Sequence, residues 1–290
     1  DRSVSRGLGD VYKRQVQFDV ELEGGGNVGV SGGNFTMERW IGTNWWNLKD
    51  ADGNPNWLKD ILSGRPVDQI SITNYAANQI WQYKGDWDRD MRNSKYNVVR
   101  DAYYDLPTSK YYGKSIIAPE TKSKLLEEQS WRWYPWPTKI TTPGEHPEAL
   151  YADPALKTLK STAGATYLDQ YMLRLAETYL LRAEAFLMKG DKEKAANDIN
   201  EVRNRAHTSE VVASEVTIDY ILDERARELV YEEFRRITLG RLGKYVERVR
   251  KYNTLNGPRV EDYHELFPIP YSAIEANKDA VLEQNPGYKN

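Results

Sequence analysis

YMLRLAETYLLRAEAFLMKGDKEKAANDINEVRNRA, residues Tyr171 to Ala206, is the stretch on which the fold turns. Its apolar side chains fall at Met172, Leu175, Ala176, Tyr179, Leu180, Ala183, Phe186 and Leu187. That i, i+3, i+4, i+7 spacing predicts an amphipathic helix with one broad face to bury. Gly190 can take the left-handed conformation that ends it, and Asp191 can cap the next helix. The second helix places Ala195, Ile199, Val202 and Ala206 on one side, with Lys192, Glu193, Lys194, Asn197 and Asp198 mostly outside. Two helices joined by a Gly-Asp turn make an antiparallel hairpin. Ala176, Ala183, Ala195 and Ala196 are small enough for the two backbones to approach closely.

The unit has the length, roughly 34 residues, and the Tyr/Ala/Gly/Ala rhythm of a tetratricopeptide repeat. One hairpin cannot bury its outer face alone, so this one is expected to stack on others. Composition agrees with a sizeable core: 290 residues, 40% of them hydrophobic. A net charge of −3 gives no general attraction to nucleic acid. No apolar run approaches the roughly 18 residues needed to span a bilayer. The absence of cysteine excludes disulfides, thiolate metal sites and thiol catalysis.

The first 15 residues, DRSVSRGLGDVYKRQ, have no periodicity, no signal-peptide pattern and no initiating Met. They resemble a translated adapter sequence found ahead of many unrelated environmental proteins, so they are read as non-native. The true N-terminus is then expected to be missing, and the lack of a secretion signal says nothing about location. From Val16 the period becomes two, with Val16, Phe18, Val20 and Leu22 alternating with polar residues as in a half-buried strand. The remainder divides into a loop-rich part, 16–165, and a helical scaffold, 166–290.

Nine tryptophans and 20 tyrosines stand against five phenylalanines. Trp and Tyr combine an apolar face with a polar edge, which suits a wet aromatic surface. Trp40, Trp45, Trp46, Trp57, Trp81, Trp87, Trp131, Trp133 and Trp136 all precede the helical part and sit among Gly, Asn, Asp and Pro. Loops stay near the surface, where large rings are hard to bury. A flat ring flanked by Asn, Asp and Arg is what a sugar requires: the ring stacks on the pyranose face and the polar neighbours take its hydroxyls. Trp45, Trp46, Trp57, Trp81 and Trp87 are therefore the expected platform, with Asn44, Asn54 and Arg89 as hydroxyl partners. The alternative is that rings pin long loops onto the helices, which is the reading favoured for WRWYPWP at 131–137.

Asp50, Asp52 and Asn54, and also Asp86, Asp88 and Asp90, have the spacing of a calcium loop. The motif wants Gly at its sixth position and Glu at its twelfth. Pro55 and Ile61 stand there in the first run, Met91 and Asn97 in the second, so no calcium is expected. His146, His207 and His264 lack the paired spacing of zinc ligands. No nucleophile elbow, phosphate loop or dinucleotide fingerprint occurs, and nothing implies a cofactor.

Thr217 can cap a further helix with Ile218, Ile221, Leu222, Leu229 and Val230 inward and Phe234 one turn on. In ERARELVYEEFRR, Arg225, Glu228, Glu232 and Arg235 are expected to pair with one another or with neighbouring helices. A helix from about Ile237 to Tyr252 follows, then LFPIP and the capping box SAIE, Ser272 to Glu275, which opens a short last helix.

Taken together, RLAETYLLRAEAFL, the Gly190-Asp191 turn, AANDINEVRNRA, ERARELVYEEFRR, LFPIP and the terminal QNPGY resemble the C-terminal portion of SusD/RagB-family proteins from about Asp169 to Tyr288. WQYKGDWDRDMR and NSKYNVVRDAYYD at 93–105 are similar to a further segment of that family. Glu233, Arg236 and Thr238 depart from the pattern, where Gly, an aromatic and Asp are usual. The resemblance implies a mainly α fold of tetratricopeptide-like hairpins with long irregular aromatic-rich loops and little strand. It implies non-catalytic binding of nutrient glycans on the outer membrane of Bacteroidetes, for delivery to a SusC-like TonB-dependent transporter. Membrane contact would be through a lipid anchor missing from this chain, and exposed apolar helix surface is expected where missing repeats would stack. The family's sugar-binding residues follow no fixed motif, so none is carried over. A helical-repeat interaction module and a carbohydrate-active enzyme are the rival functions.

Overall fold

A computed structural model of the chain describes residues 14–16, 36–58, 62, 64–141, 143–164 and 167–289. The fold is mainly helical, with short strands. It comprises two compact units, Asp1–Ile72 with Ala76–Glu232 and Thr73–Tyr75 with Glu233–Asn290.

The helices of the loop-rich part are single turns: α1 (Met37–Trp40), α2 (Asn74–Ala77) and α3 (Lys124–Glu128). The long ones follow as α4 (Leu175–Met188), α5 (Lys192–Arg205) and α6 (Ile218–Glu228). The predicted hairpin is α4 and α5. Gly190 at φ +81° closes α4, with its N–H to the Leu187 carbonyl and the Asp191 N–H to that of Phe186, both 2.9 Å. These two bonds make a Schellman cap, and the Asp191 carboxylate then accepts the Lys194 N–H at 3.1 Å to cap α5. Replacing Asp191 with Ala is expected to cost about 1 kcal/mol, read as a fall of about 2–4 °C in melting temperature.

Between α4, α5 and α6 lies a core of Leu180, Ala183, Ala195, Ala196, Ile199, Val202, Val211, Val216, Ile221 and Leu229. Ala183 and Ala195 are wholly buried, as close backbone approach demands. The predicted helix begins three residues late. Residues Gln170–Leu173 form strand β6, antiparallel to β1 (Arg14–Val16), and Arg174 is fully extended. Met172 is consequently exposed rather than buried. Arg14 and Gln15, from the segment set aside as non-native, thus pair in a strand; positions 17–23 of the predicted strand lie outside the described residues. The other strands are β2 (Val98–Val99) with β3 (Trp136–Pro137), and β4 (Tyr151–Asp153) with β5 (Thr158–Leu159).

Helix α6 ends sooner than its pattern suggests. Leu229 leaves helical geometry and Tyr231 stands at φ +62°. Phe234 is therefore not on the buried face; it is exposed in the second unit. There, Gly243 at φ +62° divides the expected helix into α7 (Arg235–Arg241) and α8 (Tyr245–Tyr252). Helix α9 (Tyr271–Ala276) starts after Pro270 with no side-chain cap, so the SAIE box does not form. Arg236 lies between the rings of Tyr245 and Phe267, 3.6 and 4.3 Å from their centroids, and donates to the carbonyl of His264.

The acidic and basic residues of α6 sit in a buried ion cluster. Glu224, with no exposed surface, accepts from Arg92, Arg203 and Arg227, each at 2.8 Å. Glu228 accepts from Arg92, Arg174 and Arg205, while Arg203 also reaches Asp86 at 2.7 Å. Glu232 binds Arg174 and Lys139; Arg225 binds Glu177; in the second unit Arg235 binds Glu233. Arg225, Glu228 and Glu232 thus take partners from other segments, whereas Arg235 pairs within its own run.

Burial pushes both carboxyls up, yet the guanidinium charges outweigh it: Arg227, Arg92 and Arg203 hold Glu224, and Arg174, Arg92 and Arg205 hold Glu228, below the ordinary 4.5. A depressed folded-state value stabilises above the unfolded value and is lost as pH falls through the folded one. The melting temperature should thus be flat from pH 7 to 5 and fall steadily below pH 4.5. A flat profile to pH 3 would contradict the linkage.

Candidate functional site

In the first unit the aromatic loops make their own core. Trp45 and Trp136 are buried with Val99, and Trp46, Trp57 and Trp133 pack against them. Trp45 meets Trp57 edge-on at 4.9 Å, and Trp133 meets Trp136 edge-on at 5.6 Å. Antiparallel pairing of Val99 with Trp136 sets the level of the cluster. Gly42 at φ +111° passes so close that a Cβ there would lie 3.0 Å from the Trp136 indole. Trp133 Nε1 donates to the Arg100 carbonyl and Trp57 Nε1 to that of Leu48, both at 2.9 Å. Trp133 and Trp136 therefore pin loops, as expected for WRWYPWP, whereas Trp131 of the same run is exposed, against that expectation.

This packing corrects part of the expected platform. Trp45 is 0% exposed and Trp81 only 5%, so neither offers a face to a ligand. The cause is apolar area: rings of this size stabilise most when enclosed, and the cluster encloses Trp45 completely. Trp46 is half-buried, with Nε1 bonded to the Pro66 carbonyl and the Arg65 guanidinium 4.1 Å above its ring. Trp57 is half-buried as well, and packs on Tyr104. Trp81 and Trp87 lie apart from this cluster. Trp81 bonds the Ala76 carbonyl, and Arg100 covers Trp87 at 4.6 Å. Asn54 is exposed on a tight turn, its N–H on the Asp50 carboxylate. Arg89 is exposed and bonds Ser209.

One tryptophan is open. Trp131, in the turn Ser130–Arg132 after α3, is 63% exposed. Ser123 caps α3 through the Leu126 N–H, and Gln129 at its end accepts from Arg132 Nε at 2.6 Å. That bond holds the guanidinium 4.8 Å from the Trp131 ring. Arg132 also reaches the Asp68 carboxylate at 3.4 Å, and the other oxygen of Asp68 takes the Asn44 N–H at 2.7 Å. An exposed flat ring, a guanidinium, a carboxylate and an amide are thereby joined in one chain of contacts. Of the residues expected from sequence, only Asn44 belongs to it.

Three features mark this group as more than packing. Asp68 takes φ +60°, a conformation that costs a non-glycine residue of order 1 kcal/mol. Burial raises its carboxyl pKa even against the opposing Asn44 N–H and the Arg132 charge. Beside it, Thr43 Oγ1 and Asn44 Oδ1 are shielded from water and lack a hydrogen-bond partner among the described residues. Strain, a perturbed carboxyl and unpaired polar atoms tend to coincide where a ligand completes the structure. The sequence held one signal for Trp131: Gln129, Ser130 and Arg132 surround it, whereas Trp133 and Trp136 adjoin Tyr and Pro. Nothing in RPVDQI marks Asp68.

The acidic runs are turned to other work. Asp50 takes the Asp52 and Asn54 N–H groups on one oxygen and the Asn56 side chain on the other. Asp86 faces Arg203 and Asp90 faces Arg92. Among the described residues no three His, Cys, Asp or Glu side chains are grouped to hold a metal. His146 is buried against Glu38, 3.0 Å away.

Comparison with known proteins places the chain. Residues 50–288 match the SusD family. The chain belongs to that family. It is similar to the starch-binding protein SusD of Bacteroides thetaiotaomicron, 40% identical over 138 residues, which are 45% of this chain and 24% of that protein. Among solved structures, surface glycan-binding protein A from Bacteroides thetaiotaomicron aligns over 97% of this chain and 53% of its own, with TM-score 0.54 and 17% identity. Its counterpart from Bacteroides fluxus aligns over 89% and 46%, with TM-score 0.50 and 20% identity. The chain spans about a quarter of that curated SusD relative and about half of these solved chains, whose likeness shows the SusD fold. Among the described residues no helix is long and apolar enough to cross a membrane.

Proposed function

We propose that this SusD-family chain binds nutrient glycans without catalysis, at the group formed by Trp131, Arg132, Asp68 and Asn44. The observation that carries the proposal is the exposed Trp131 face beside a linked guanidinium, carboxylate and amide. A pyranose stacked on the indole would present its equatorial hydroxyls to those polar atoms. Support comes also from the starch-binding name of the 40% identical relative. Asp68 is the one carboxylate in this group, whereas glycoside hydrolysis generally employs an opposed pair. The whole protein would act at the outer surface of the outer membrane in Bacteroidetes, tethered by a lipid, and pass glycan to a SusC-like TonB-dependent transporter.

The direct test is affinity electrophoresis of the chain in gels holding starch and a panel of other polysaccharides, with reducing ends assayed in parallel. Retardation in at least one gel without new reducing ends supports the proposal. Free migration in every gel would sink it.

A second reading, a helical interaction module, is favoured by α4. Leu181 and Met188, seven residues apart on one helix face, are 41% and 65% exposed, an apolar surface of the kind that stacked hairpins cover. That surface and the Trp131 group belong to different segments, so the two readings are compatible.

A further inference from the structure

A cavity of about 410 Å³ lies in the first unit, within the range typical of small-molecule sites. Its lining falls into two chemistries. Trp81, Ile140, Leu168, Tyr171 and Tyr231 contribute apolar and aromatic surface, while Arg92, Lys139, Arg174, Arg205, Glu228 and Glu232 contribute charge.

The charged residues are unequally engaged. Arg92 is saturated by Asp90, Glu224 and Glu228, and Arg174 by Glu228 and Glu232. Glu228 is in turn surrounded by Arg92, Arg174 and Arg205. Arg205 differs. Its side chain is 61% exposed, and among the described residues it makes one hydrogen bond, to Glu228. A guanidinium has five N–H donors, so most of those on Arg205 remain available. The Lys139 ammonium, about a third exposed, borders the same space; Glu232 and the Glu228 carbonyl, the latter at 2.6 Å, take two of its three N–H donors. A third donor is Tyr231: its hydroxyl is shielded from water and has no partner among the described residues, and its backbone is held at φ +62°. The donors left on this wall are thus the remaining N–H groups of Arg205, one of Lys139 and the Tyr231 hydroxyl, next to rings and aliphatic side chains.

We infer that this cavity is a second binding site, which takes a ring-sized molecule bearing a carboxylate. The carboxylate meets Arg205, Lys139 and the Tyr231 hydroxyl, and the ring lies against Tyr171 and Leu168. Two sources supply that chemistry, the terminal uronate of an acidic glycan and a free aromatic acid. The site is independent of the Trp131 group, so failure of one leaves the other standing.

Calorimetric titration of the chain with D-glucuronate, benzoate and D-glucose tests the inference. Binding of either acid, with glucose at least about tenfold weaker, is the expected result, because a neutral sugar cannot form the charge-assisted bonds that a carboxylate makes with the remaining Arg205 donors. Glucuronate alone identifies the glycan source; benzoate alone identifies the free acid. Arg205→Gln should weaken the bound acid about tenfold, and Tyr231→Phe, which deletes only a hydroxyl without a partner among the described residues, about fivefold. Trp131→Ala should leave this titration unchanged. Absence of binding by both acids, equal affinity for glucose, or unchanged affinity in both Arg205→Gln and Tyr231→Phe would overturn the inference.

Discussion

Exchange of Glu224 for Gln is expected to lower the unfolding free energy by about 3–5 kcal/mol, the cost of breaking a buried ion pair by removing one partner. Glu224 has no exposed surface and joins Arg92, Arg203 and Arg227. Glutamine preserves the volume but not the charge, and its amide N–H groups would face guanidinium donors. Arg92 would keep Asp90 and Glu228, and Arg203 would keep Asp86. Arg227 would keep the Ile80 carbonyl and the Tyr220 ring but no carboxylate among the described residues, so it suffers most. A buried guanidinium cannot escape by losing its proton, since it stays charged at any ordinary pH. The loss would be read from urea unfolding followed by circular dichroism, with exposed Glu201→Gln as a control expected within about 0.5 kcal/mol of the parent. A loss below about 1 kcal/mol for Glu224→Gln would show that the cluster is not what joins α6 to the loops.

Trp131→Ala is expected to weaken glycan binding by about 30-fold, or about 2 kcal/mol, the scale of an aromatic hot spot. Its ring is 63% exposed, so the stability of the fold should stay within about 0.5 kcal/mol. That combination separates a ligand platform from a packing residue. A tryptophan that pins a loop would lower the melting temperature and leave the ligand affinity of the surviving folded protein alone. Affinity electrophoresis on whichever polysaccharide retards the parent chain supplies the first quantity, and a thermal melt the second. Unaltered retardation would remove Trp131 from the site and with it the proposed role of Asp68 and Arg132.

Much of the helical part was legible in sequence because its determinants are local. Leu180, Ala183, Ile199 and Val202 reach the core at the positions their helical period assigns. Misreadings occurred where a distant partner intervened or a special backbone conformation broke the period. Tyr171 and Met172 continue the apolar rhythm of α4 but lie in β6, where Tyr171 pairs with the distant Gln15 and Leu173 with Arg14 of β1. Phe234 continues that of α6, yet Tyr231 at φ +62° has already turned the chain. For the tryptophans, loop composition argued for an exposed platform at Trp45, Trp46, Trp57, Trp81 and Trp87 and for packing in WRWYPWP. Pairing of Val99 with Trp136 and the close passage of Gly42 gathered Trp45 and Trp136 inside, and left Trp131 out.

From sequence alone follow the helix hairpin, its Gly190-Asp191 turn and the family, since each rests on residues within a few positions of one another or on motifs in linear order. Tertiary structure alone decided which rings are open and which charges are buried together. Asn44, Asp68 and Trp131 are far apart in the chain, as are Arg92, Arg203 and Glu224, and contact between such residues depends on how loops close over long distances, which no local spacing encodes.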